Sequence, residues 1–171
     1  MPKIIITPLS GLLDIVRIHE PSHVVTLTSP EQRIDTPDGV AHLHISIKDI
    51  TDPAEDAPQP HDHHIKALLE FGRLWDASAP LVVSCRAGIS HSIAAAFILV
   101  CDRLDHVRES EIAAALRKRA AHAHPDRLMI QSADATLGRD GRMIDAIEAI
   151  GPGEVIDNAP PVNFPLAFGI L

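Results

Sequence analysis

The sequence predicts an α/β domain, a short and largely parallel central sheet flanked by helices. Two observations carry this. Short β-branched apolar runs alternate with helically spaced segments through the first half of the chain, and helical spacing takes over after residue 91. At 171 residues the chain suits one domain, large enough to bury a core without disulfide or metal staples.

The elements follow in order. Lys3 to Thr7 is a short apolar run that reads as a buried strand. Ser10 stands as an N-cap before a helix from Gly11 to about His19, with Leu12, Leu13, Ile15 and Val16 as its apolar side. His23 to Thr28 is a second strand. Val40 to Lys48 is a third, with His42, His44 and Ser46 set between Leu43, Ile45 and Ile47. Thr51 to Pro60 carries Pro53, Pro58, Pro60 and the acids Asp52, Glu55 and Asp56, the composition of an exposed loop.

His61 to Asp76 returns to helical spacing through Ile65, Leu68, Leu69, Phe71 and Leu74. Leu81 to Cys85 is a short central strand. From His91 to about Leu104 the helix is apolar nearly all round, so it is expected inside. Ser110 opens a helix reaching Ala121, whose Arg117, Lys118 and Arg119 sit where the dipole favours cations. Pro125 reads as the first residue of the next helix. Gly138 breaks that helix, and a last one runs from Arg142 to Ile150. Residues 1–150 read as a single domain. Residues 151–171, with Pro152, Pro160, Pro161 and Pro165, read as a tail packed on it through Phe164, Leu166 and Phe168 or partly disordered.

Composition narrows the function. The 15 Lys and Arg against 23 Asp and Glu leave a net charge of −8, a field that repels nucleic acids and anionic membranes. The aromatic share of 3% leaves little for base stacking. Any anionic ligand must therefore be drawn in by a local site. No apolar run reaches membrane-spanning length, and the N-terminus lacks the pattern of a signal peptide. Two cysteines, Cys85 and Cys101, make no disulfide framework and point to a reducing, cytoplasmic setting.

One segment carries chemistry. Ser84-Cys85-Arg86-Ala87-Gly88-Ile89-Ser90-His91-Ser92 joins a short strand to a buried helix. Strand, glycine-containing loop and helix N-terminus together make an anion cradle of converging backbone N–H groups. A cysteine opening such a loop lies in the same field, which favours its thiolate. Held under a bound phosphate, it is placed for in-line attack on phosphorus. Gly88 lets the loop turn tightly, and Ser92 can donate a hydrogen bond to the sulfur. The other candidates read as structure: Cys101 as core, His61-Asp62-His63-His64 as a solvated helix start, Arg117 to Arg119 as surface.

The segment resembles the signature loop of cysteine-dependent protein tyrosine phosphatases: His, Cys, two residues, Gly, two residues, Arg, then Ser or Thr. Cys85, Gly88 and Ser92 match it, and the layout over residues 3 to 150 resembles the dual-specificity branch. Pro125-Asp126-Arg127 resembles a Pro-Asn segment in the last helices of that branch. Two positions depart: Ser84 stands at the usual histidine and His91 at the usual arginine.

The resemblance implies a phosphotyrosine phosphatase-like fold and hydrolysis of phosphomonoesters, protein phosphotyrosine above all, with a phosphorylated protein or small phosphomonoester as partner. It implies Cys85 as nucleophile, Arg86, Ala87, Gly88, Ile89, Ser90 and His91 as the phosphate cradle, and Ser92 as the donor to the leaving thiolate. It also implies an aspartate general acid after the preceding strand, for which Asp49 is the positional match and Asp52, three residues on, the reserve. No metal or cofactor is required by this chemistry.

An arginine grips two phosphate oxygens as a planar, permanently charged fork, whereas a histidine offers at most one donor in that direction. The substitution therefore opens two further readings. One is a pseudophosphatase that binds phosphorylated partners or oxyanions without turnover, and the other a thiol enzyme acting on a different oxyanion or a persulfide.

Overall fold

The computed structural model describes residues 1–47 and 62–168. Its centre is a five-stranded sheet in the order β3-β2-β4-β1-β5. Strands β1 (Lys3–Pro8), β2 (His23–Thr28), β3 (Ala41–Ser46) and β4 (Leu81–Cys85) run parallel, as the alternation of strands and helices predicts. β5 (Val162–Pro165) joins antiparallel along the free edge of β1, pairing Ile4 with Phe164 and Ile6 with Val162.

Because side chains alternate across a pleated strand, each parallel strand feeds two cores. Ile5, Val24 and Val82 face α1 (Leu12–His19) through its Leu12, Ile15 and Val16. Ile4, Ile6, Val25, Leu27, Leu81 and Val83 face the larger core. That core is covered by α2 (Asp62–Leu74), α3 (His91–Arg103), α4 (Glu109–Arg119), α5 (Arg127–Leu137) and α6 (Arg142–Ile150). The helix expected to be apolar all round is indeed enclosed: every residue of α3 from His91 to Cys101 is buried.

Polar side chains lock the outer helices together. Asp134 of α5 accepts hydrogen bonds from the Gly141 and Met143 N–H groups at the start of α6, at 2.8 and 2.9 Å. Glu109, at the start of α4, accepts from Arg139 at 2.9 Å and lies 3.4 Å from Arg142. On the α1 face, the Thr26 hydroxyl bridges His42 Nε2 at 2.8 Å and His44 Nδ1 at 3.0 Å, tying β2 to β3 through their side chains as well as their ladder.

Three local expectations differ from what is found. Ser10 is not a helix cap: it lies in a 3-10 turn, Leu9–Gly11, and Gly11 caps α1 without a side-chain bond. Pro125 does not open α5, because Asp126 is the N-cap and its carboxylate accepts from the Met129 N–H. No strand was expected at 162–165. Its four residues end in a proline, too brief a run for its alternation to stand out. Among the described residues no helix is long and apolar enough to cross a membrane.

Candidate active site

Cys85 is the last residue of β4, flanked across the sheet by Pro8 of β1 and Leu27 of β2. It thus lies at the carboxyl ends of the parallel strands, where open α/β sheets take their ligands. Since α3 starts at His91, residues 86–90 make the whole connection. Gly88 is what permits so short a turn. Its φ is +71°, and a Cβ there would meet the Pro8 nitrogen at 2.8 Å.

The loop is held from outside by its carbonyls. Arg86 O accepts from Leu9 N at 3.3 Å, Ala87 O from Ala159 N at 3.1 Å, Ile89 O from His124 N at 3.0 Å, and Ser90 O from Asp126 N at 3.3 Å. In a planar trans peptide the C=O of one residue and the N–H of the next point in opposite directions. With these carbonyls turned to the surroundings, the N–H groups of Ala87, Gly88, Ser90 and His91 turn to the loop's interior. The first turn of α3 adds its N–H groups to them, and the Ser90 side chain makes no capping bond there. The result is a concave ring of donors at the positive end of a 13-residue helix, with Cys85 at its base.

The side chains expected to act together are close. Cys85 Sγ lies 3.0 Å from Ser92 Oγ, with both residues buried. Arg86 is exposed, Ala87, Ile89 and Ser90 are half-buried, and Gly88 is buried. Ser84 is fully buried in the sheet and its hydroxyl has no hydrogen-bond partner. Asp49 and Asp52 lie outside the described residues, as does His61. Cys101 is buried in α3, where burial first, and then the Glu109 carboxylate, push its thiol well up; this suits a core residue.

His91 is where the site departs from an arginine fork. The residue is 7% exposed, and its Nε2 is 3.5 Å from Asp126 Oδ2. Asp126 reaches it because the segment before α5 docks on the loop through its own backbone and is fixed again by the cap on Met129. An acid next to an apolar run is legible as a helix cap, but nothing local in sequence announces that it meets residue 91. The support given by Ala159 carries no sequence signal at all, being a backbone donor.

No family model matches the sequence, and no curated protein matches it. Solved structures match the fold. DUSP15 aligns over 88% of this chain and 91% of its own, with a TM-score of 0.59 and 17% identity. Human DUSP28 aligns over 82% and 96%, with a TM-score of 0.58 and 19% identity. The chain has the fold of the dual-specificity phosphatases. A human tyrosine phosphatase-like serine/threonine/tyrosine-interacting protein is as similar, over 80% of this chain and 92% of that one, with a TM-score of 0.60 and 15% identity. On this phosphatase fold, the loop after β4 is the place where the chain's own residues must be asked what chemistry they support.

Proposed function

We propose that this chain hydrolyses phosphomonoesters, with protein phosphotyrosine as the substrate, through a phosphocysteine intermediate. The observation that carries the reading is Ser92 Oγ 3.0 Å from the Cys85 sulfur, in a loop whose carbonyls are bonded to the surroundings and whose N–H groups are thereby turned inward. In the first step the Cys85 thiolate attacks phosphorus while the ester P–O bond breaks. Asp49, or Asp52 in its place, gives a proton to the departing oxygen. In the second step water attacks the phosphocysteine, the P–S bond breaks, and the Ser92 hydroxyl stabilises the returning thiolate by donating a hydrogen bond. The backbone donors serve both steps, since they meet the phosphoryl oxygens as charge builds on them.

The pairing of His91 with Asp126 favours a second reading, in which phosphorylated partners or oxyanions are held without turnover. One of the similar folds is named as a phosphatase-like interacting protein, and the same use is open to this chain. Losing one preorganised donor costs on the order of 10²–10³ in rate, so slow turnover and none are the two outcomes to separate.

Hydrolysis of p-nitrophenyl phosphate under reducing conditions separates them when the wild type, Cys85→Ser and His91→Arg are compared. The phosphatase reading expects measurable wild-type turnover, none in Cys85→Ser and a gain in His91→Arg. A silent wild type beside an active His91→Arg assigns the natural chain to binding. Silence in all three, with the proteins folded, rules out the catalytic reading.

A further inference from the structure

Two of the positions at which the loop and its support depart from the signature pattern turn out to touch. His91 stands at the usual arginine and Asp126 at the usual asparagine, with His91 Nε2 3.5 Å from the Asp126 carboxylate. We propose that Asp126 tunes which oxyanions the cradle holds: by taking up the imidazole and setting its own carboxylate against the loop, it shifts the cradle's preference away from doubly charged and toward singly charged oxyanions. This rests on the cradle reading above and deepens it by naming the charge class of the ligand.

The geometry carries the argument. Asp126 is bound to the cradle on two sides, by its N–H to Ser90 O at 3.3 Å and by its carboxylate to His91. Its carboxylate cannot swing away without giving up the cap on Met129 N at 2.9 Å. Its chain neighbour Arg127 pairs with Glu148 instead. The Asp126 carboxylate thus stays beside the loop, held there by its bonds to His91 and Met129. Backbone donors and the helix dipole attract a doubly charged oxyanion more strongly than a singly charged one, and the carboxylate offsets that advantage because each added ligand charge meets its repulsion as well. Removing a like charge from a neighbouring side chain is worth roughly tenfold in affinity per ligand charge.

Tungstate and perrhenate test this. They are tetrahedral oxyanions of closely similar size, doubly and singly charged respectively. Each is titrated as a protectant of Cys85 against alkylation by iodoacetamide at constant pH and ionic strength, in the wild type, Asp126→Asn and Asp126→Ser. Both replacements can still cap α5, so the helix is kept. The expected result is that both variants shift the ratio of dissociation constants roughly tenfold toward tungstate, while perrhenate changes severalfold less. A purely structural role for Asp126 would weaken both anions together, and that result, or an unchanged ratio, overturns the proposal. If neither anion protects Cys85 in any of the three proteins, the cradle reading falls and this inference with it. A shifted ratio in a chain that hydrolyses nothing upholds the inference and sinks only the catalytic reading.

Discussion

At Gly88 one missing side chain decides whether the cradle exists. Alanine there would hold φ at +71° and press its Cβ against the Pro8 nitrogen at 2.8 Å, with the Pro8 ring close behind at 3.1 Å. The left-handed conformation costs about 1–2 kcal/mol and overpacking against backbone about 1–3 more. Gly88→Ala is therefore expected to lower stability by about 2–5 kcal/mol in urea unfolding and to abolish protection of Cys85 by oxyanions. Retained protection would mean that the loop has another way to turn. Ser92 calls for a subtler outcome. If its hydroxyl serves the returning thiolate, Ser92→Ala slows breakdown of the phosphocysteine more than its formation. Stopped-flow assays should then show a burst of product followed by a slower steady rate; an equal loss in both phases would assign the hydroxyl elsewhere.

Elements add what single residues cannot. β5 closes the edge of β1 with Phe164 fully buried between the strand and the helices. Phe164→Ala is expected to cost about 3–5 kcal/mol, read as a lowered urea midpoint. The Glu109 cluster fastens α4 to the Arg139–Arg142 turn with Glu109 5% exposed, so Glu109→Ala leaves Arg139 without its carboxylate and should cost about 3–5 kcal/mol.

These elements also mark what was readable beforehand. The four parallel strands and the buried helix after Cys85 follow from apolar runs and periodicity, which are local. So is the spacing of Cys85, Gly88 and Ser92, which locates the cradle and its 3.0 Å sulfur contact. The edge strand at 162–165 was hidden because its stability comes from β1, more than 150 residues earlier, and not from its own four residues. Asp126 was visible only within the segment Pro125-Asp126-Arg127, and its contact with His91 depends on how α5 docks, which no window of sequence contains.

The molecule as a whole responds to acid in two stages. Burial, as the leading cause, holds His23, His42, His44 and His122 below the ordinary imidazole value of 6.5. As pH falls through that value, the unfolded chain takes up protons that the folded one refuses, so stability drops. Glu109 adds a later stage. Burial acts to raise its carboxyl, but a backbone N–H and the guanidinium groups of Arg139 and Arg142 outweigh it and hold it below the usual 4.5. Its contribution is complete above that value and is lost as pH falls through the lower folded one. Thermal melts should therefore show a flat midpoint from pH 8 to 7, a decline below about 6.5, and a further decline below about 4.5. A midpoint unchanged down to pH 5 would show that the histidines protonate in place.

The bond from Ala159 N to Ala87 O spans more than seventy residues, and β5 follows it directly. A ribosome that has just delivered Cys85, Ser92 and all of α3 has therefore made the loop without the last strut that braces it. The nascent chain must be extended past residue 162 before the strut and its anchoring strand can dock. Until then Cys85 stands in a loop that lacks its last brace, so the loop is completed only once residue 162 and those after it have been made, in one step with closure of the sheet.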